Sequence, residues 1–167
     1  MAETDGVDRI VAQWARERPD LDTTAMAVFG RIFRLSRMAG DHVERAYADY
    51  GIGRPEFDVL ATLRRSGEPF QLSPGALAES MMLSSGGTTA RLDRLEKAGL
   101  VERIPSATDR RSVLVRLSER GREIIDDALA AGLEEQRRLL GHMSAAKVRQ
   151  LSDLLRVALQ DVDGGVS

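Results

Sequence analysis

The sequence contains no cysteine. That excludes thiol nucleophiles, cysteine-ligated zinc and any cysteine redox switch. Its two histidines, His42 and His142, fall on helical patterns without partner carboxylate clusters, and neither glycine-rich phosphate-loop motif occurs. An enzyme therefore has few groups to work with, and no cofactor is expected. Aromatic residues make up 4% of the chain, too few for an all-β sandwich. No stretch approaches the roughly 18 apolar residues of a membrane span, and MAETDGVDRI shows no basic region followed by an apolar run. The chain is expected to be soluble and cytoplasmic, with no membrane partner.

What is present describes a helical domain with extensions. The chain has 167 residues, 43% hydrophobic and 30% charged. At this size folding buries roughly 70% of the unfolded surface, so neither disulfides nor a metal is needed. The net charge is −2, but it is unevenly spread. Residues 84–120 hold eight basic side chains against five acidic ones, a local +3 that leaves −5 elsewhere. Local rather than global positive charge is what a polyphosphate responds to. A pI near 5.8 disfavours a sequence-indifferent, nucleoid-type binder, which should be basic throughout.

Val7, Ile10, Val11 and Trp14 keep i, i+3, i+4, i+7 spacing, predicting a helix over about 5–17. Asp22 caps a long second helix whose apolar face runs from Met26 to Tyr50, until Gly51-Ile52-Gly53 breaks it. Arg54-Pro55 opens a third, ending at Ser66-Gly67. After an extended 70–72, Ser73-Pro74-Gly75 caps a short helix, and Ser84 to Thr89 opens another that stops at Gly99. Strands follow at Leu100–Ile104 and Ser112–Leu117, joined by a polar hairpin. Ser118 caps a long helix, the pattern resumes after Ser144, and the tail from Asp163 is expected to fray.

This order predicts a mainly α fold with a small β-wing, a winged helix-turn-helix with a helical dimerisation domain. The expected division is 1–53 for the N-terminal and first dimerisation helices, 54–118 for the winged domain and 119–167 for the C-terminal dimerisation helices.

A helix entering the DNA major groove needs small hydroxyl and glycine residues at its start, where amides and side chains approach phosphates and base edges. Ser84, Ser85, Gly86, Gly87, Thr88 and Thr89 have that character, and Arg94 joins them one turn on. In the hairpin, Asp109-Arg110-Arg111 places two guanidinium groups near a tip able to enter the minor groove, with Asp109 positioned to hold Arg111. Double-stranded DNA is the expected partner. Taken singly, the first group also reads as a capping loop and the second as solvated charge.

The stretch SSGGTTARLDRLEKAGLVERIPSATDRRSVLVRLSERGRE resembles the MarR family of winged-helix regulators, including its D-x-R wing motif at Asp109-Arg110-Arg111. The resemblance covers about residues 22–162. It implies a homodimer on pseudo-palindromic sites about one DNA turn apart, acting most simply as a repressor. The added N-terminal helix is similar to the family's urate-responsive branch. By that resemblance Trp14, Asp58, Arg91 and Arg103 form a ligand site in the contexts EFDVL, TTARLDRL and LVERIP. An indole wall and two guanidinium groups suit an anionic oxidised purine, urate or xanthine; citrate, aconitate or a phenolic carboxylate would use the same arginines. In the empty site Asp58 is expected to pair with Arg91, so that an incoming anion disturbs the recognition helix. The plain alternative is an apolar anchor at Trp14, a structural Asp58–Arg91 bridge and a surface or phosphate contact at Arg103. His42, midway along the long helix, matches the branch's dimer pivot and alternatively is a half-buried helix histidine without a switching role.

Overall fold

The computed structural model of the chain describes residues 4–81, 85–106 and 112–164. Packing divides it into two compact units, residues 1–43 and 44–167.

In the first unit, helix α1 (Gly6–Glu17) starts in a reciprocal cap. The Asp5 carboxylate accepts from the Val7 and Asp8 amides at 2.7 and 3.0 Å, and Asp8 accepts from the Asp5 amide at 2.9 Å. Arg31 of helix α2 (Thr24–Ala48) donates to both carboxylates, at 3.0 and 2.6 Å. These charge-assisted bonds fasten α1 at its first turn. Beneath them the helices meet closely: a Cβ on Gly30 would stand 3.0 Å from a Val7 methyl. Asp22 accepts from the Thr24 amide at 2.9 Å and starts α2 as expected. Met26, Phe29, Phe33 and Met38 stay exposed along it.

The second unit begins with the last turn of α2. There the Tyr47 ring stacks on Phe57 at 4.0 Å and lies against Gly132, where a Cβ would meet the Tyr47 ring at 2.7 Å. Helix α3 (Arg54–Arg65) has Pro55 in its first turn and sends Val59, Leu60 and Leu63 into the core. Ser73 caps the short α4 (Pro74–Ser80), and α5 (Ser85–Lys97) buries Leu92 and Leu95 before ending at Gly99, whose φ of +70° suits glycine. The sheet joins β1 (Gln71–Leu72), β2 (Val101–Pro105) and β3 (Val113–Leu117) in antiparallel order β1-β3-β2. Val115 pairs with both Leu72 and Arg103, and Val101 with Leu117, so the inward valines and leucine share one buried face.

Helix α6 (Glu119–Leu139) is capped by Ser118, whose hydroxyl accepts from the Gly121 amide at 2.9 Å and donates to the Gly99 carbonyl at 2.8 Å. No side chain fits at Gly121, since a Cβ would fall 2.0 Å from the Leu100 oxygen. Ile125 and Ala128 complete the core, while Arg64 ties α3 to α6 through Asp126 at 2.8 Å. Helix α7 (Ala145–Gly164) includes Asp163 and Gly164; the rest of the tail expected to fray, residues 165–167, lies outside the described residues. Leu133 of α6 and Leu154, Val157 and Leu159 of α7 remain exposed. The observed fold is the mainly helical winged helix-turn-helix expected.

Candidate functional site

Helix α5 has two unlike faces because its apolar residues recur at i, i+4, i+7. Thr88, Leu92 and Leu95 point into the core, whereas Gly87, Thr89, Ala90, Arg94 and Lys97 are exposed. The expectation for Thr88 is corrected by this geometry. It is only 4% exposed and lies on the Leu92 stripe, so it faces inward rather than toward a DNA groove. Among the described residues its hydroxyl has no hydrogen-bond partner. Arg94, with a mostly exposed side chain, reaches Glu56 of α3 at 3.2 Å and links the two helices on the outside. Ser85 begins α5. The candidates Ser84, Asp109, Arg110 and Arg111 lie outside the described residues. On the outer side of the wing strands Arg116 and Glu102, directly paired in register, bridge at 2.7 Å.

The four candidate ligand residues fall on elements of both units. Trp14 lies on α1 in the first unit and is 46% exposed; Asp58, Arg91 and Arg103 lie in the second. Asp58 does not pair with Arg91. It accepts from Arg54 Nε at 2.9 Å, one helical turn earlier on α3, where i, i+4 spacing brings the two together without tertiary help. Arg91 is half-buried and makes no ion pair among the described residues; its guanidinium lies within reach of Gly87. Arg103 of β2 is held by two carboxylates of α5, Asp93 at 2.6 Å and Glu96 at 2.5 Å. The hydrogen bond to Asp93, foremost, holds Arg103 still further toward its charged form. This fork fastens the wing to the outer side of the recognition helix.

Asp58 opens onto a cleft of about 350 Å³ between α3 and the end of α4. Arg54 and Arg65 line it together with Thr62, Ser80 and Met81, whereas Arg91 and Arg103 do not. Thr62 Oγ1 donates to the Asp58 carbonyl at 2.7 Å, and Arg65 Nη2 donates to the Ser80 carbonyl at 2.9 Å. Sequence reasoning missed both arginines. The Arg54–Asp58 spacing was a readable signal, but the meeting of Arg65 with Ser80 depends on how α3 and α4 pack. His42 is half-buried on α2 in the first unit. Among the described residues no group of histidines and carboxylates is arranged to hold a metal, and no helix is long and apolar enough to cross a membrane.

A short helix, a second helix with a polar exposed face, and a two-stranded wing pinned to it together define a winged helix-turn-helix DNA-binding protein. Residues 50–112 match the model of the MarR family. Over 89% of this chain and 90% of the relative, the sequence is 38% identical to the HTH-type transcriptional regulator PecS of Dickeya dadantii. Among solved structures, a mutant MarR from Escherichia coli complexed with operator DNA superposes with a TM-score of 0.70 at 26% identity, covering 82% of this chain and 97% of that one. CouR from Rhodococcus jostii RHA1 bound to p-coumaroyl-CoA gives 0.67 at 26% identity, covering 81% and 90%. The chain belongs to the MarR family of transcriptional regulators, and is not an enzyme.

Proposed function

We propose that the protein is a homodimeric repressor that binds a pseudo-palindromic operator and is released from it by a small organic anion, with urate the first choice and citrate or aconitate the alternative. The observation that carries the DNA reading is the division of α5 into an inner face bearing Leu92 and Leu95 and an outer face that presents Gly87, Thr89, Ala90, Arg94 and Lys97, with the exposed Asp93 engaged by Arg103. Ser84 and Ser85 would precede that face at the helix start, and Asp109, Arg110 and Arg111 would supply the wing tip. In this reading residues 54–118 bind DNA, and 1–53 and 119–167 hold the dimer. His42 lies at the dimer pivot.

The anion reading rests on the presence of Trp14, Asp58, Arg91 and Arg103 and on the similarity to PecS; that a member of this fold takes a ligand at all is supported by CouR, whose structure is bound to p-coumaroyl-CoA. Arg103 enters this scheme through its fork to Asp93 and Glu96, because an anion competing for that guanidinium would loosen the wing from α5.

The test is binding to a duplex selected from random sequence by the protein itself, followed by fluorescence anisotropy across salt concentrations. Arg111→Ala is expected to weaken binding and to reduce the salt slope by about one. Urate should release the parent protein from the duplex. Equal affinity for selected and scrambled duplexes would refute the operator reading, and an unchanged affinity in urate, citrate and aconitate would refute the anion reading.

A further inference from the structure

Gly87, Ala90, Arg94 and Lys97 recur along α5 at i, i+3, i+7 and i+10, so they form one stripe on its exposed side. The first two positions carry almost no side chain, which lets another molecule come close to the helix; the next two carry long cations. One terminal nitrogen of the Arg94 guanidinium lies 3.2 Å from Glu56 Oε1 of α3. The Arg94 side chain is nevertheless 64% exposed, so the head is held at one corner and still faces water. A guanidinium has five N–H donors in a planar fork, and a carboxylate on one corner leaves the rest for a second acceptor.

Glu56 is placed for this by the way α3 starts. It is the acidic residue of that helix's first turn, where unpaired amides favour a negative charge. The N-cap is Gly53, and a Cβ there would stand 3.0 Å from Glu56 Oε2. The carboxylate thus folds back over the N-cap with one oxygen and meets Arg94 with the other. Its side chain is 19% exposed, whereas its partner is mostly in water. The carboxylate is the fixed member of the pair, and the arginine is the member that presents an edge outward.

We propose that Glu56 is a positioning residue for DNA binding: it orients Arg94 so that the outward edge of the guanidinium meets a backbone phosphate beside the groove entered by α5. A phosphate is the chemistry that fits, because it accepts the paired donors of a guanidinium and recurs at every step of a duplex. Glu56 itself touches no nucleic acid. An arginine already held in place loses less freedom on binding than an unheld one, and the difference appears as affinity. This rests on the DNA-binding reading of α5 and adds to it a residue on a different helix.

The experiment is anisotropy on the selected duplex and on a scrambled one across salt concentrations, with Glu56→Ala, Glu56→Gln, Arg94→Ala and the double variant Glu56→Ala with Arg94→Ala. Arg94→Ala should reduce the salt slope by about one. Glu56→Ala should weaken binding by about threefold on both duplexes, and Glu56→Gln, which keeps an acceptor oxygen in place, should recover most of that loss. In the Arg94→Ala background Glu56→Ala should have no further effect. A carboxylate that merely supports α3 would cost the same with or without Arg94, so additive losses overturn the proposal, as does a Glu56→Ala protein that binds as well as the parent or better. An unchanged salt slope in Arg94→Ala likewise overturns it, while the operator reading stands if the parent still prefers its selected duplex. Equal binding of the two duplexes refutes the operator reading alone, because phosphates are common to both and the coupling of Glu56 to Arg94 is measured on either.

Discussion

Thr88 and Thr89 are adjacent and chemically identical, yet they belong to different parts of the molecule. One helical step of 100° takes Thr89 to the exposed face and leaves Thr88 among Leu92 and Leu95, with a hydroxyl that has no hydrogen-bond partner among the described residues. A buried hydroxyl without a partner costs on the order of 1–3 kcal/mol of desolvation, and an isosteric methyl removes that cost. Thr88→Val is therefore expected to leave stability unchanged or raise it by about 1 kcal/mol, with operator preference intact, whereas Thr89→Val should alter base preference at a neighbouring position. Urea unfolding and duplex selection read the two effects. A changed preference in Thr88→Val would place that residue at the DNA after all.

Among the elements, α1 depends most visibly on charge. Its first turn is fastened by Asp5, Asp8 and Arg31, and both carboxyls titrate below their ordinary range, Asp5 chiefly through the Asp8 amide and Asp8 chiefly through the Asp5 amide, with Arg31 adding to each. A carboxyl whose folded pKa is depressed stabilises the fold fully above its unfolded pKa, about 3.9, and loses that contribution as pH falls through the lower folded value. The attachment of α1 should thus be insensitive to pH near neutrality and weaken only below about pH 4. Trp14, the single tryptophan, lies on this helix and reports it directly. Its emission is expected to change in that acid range, and in Arg31→Gln to change already at higher pH. Superimposable titrations for parent and variant would show that Arg31 does not hold the helix.

For the whole molecule, the large apolar side chains left in water call for a partner. Leu151, Leu155 and Leu159 of α7 line a groove of about 450 Å³ with Leu140 and Val148, and Leu154, Val157 and Val162 are exposed beside them. Contiguous apolar surface of this kind marks an interface in a soluble chain, and in a cyclic dimer each substitution is present twice. Leu155→Asp with Leu159→Asp is expected to convert a dimer to a monomer at micromolar concentration by light scattering. Affinity for the two-half-site duplex should fall by at least tenfold, since linked half-sites are lost. A parent protein already monomeric at that concentration would remove the dimer from the proposed function.

Local patterning by itself determined the order of elements: the 3.6-residue apolar stripes, the caps at Asp5, Ser73 and Ser118, and the stops at Gly51, Gly67 and Gly99 each act within a few residues of chain. The winged helix-turn-helix follows from that order, and the likeness of residues 84–123 to the MarR family was legible in the same way. The charged partnerships were decided by tertiary structure. Arg103 meets Asp93 and Glu96, Arg64 meets Asp126, and Arg65 meets the Ser80 carbonyl only after separate elements pack. The Asp58–Arg91 expectation erred for the same reason, since a local i, i+4 partner on α3 engages the carboxylate in the folded chain. Apolar burial is non-directional and is written in the sequence as a period. A hydrogen bond needs an angle and a distance within a few tenths of an ångström, and those exist only when the core has set the helices in place.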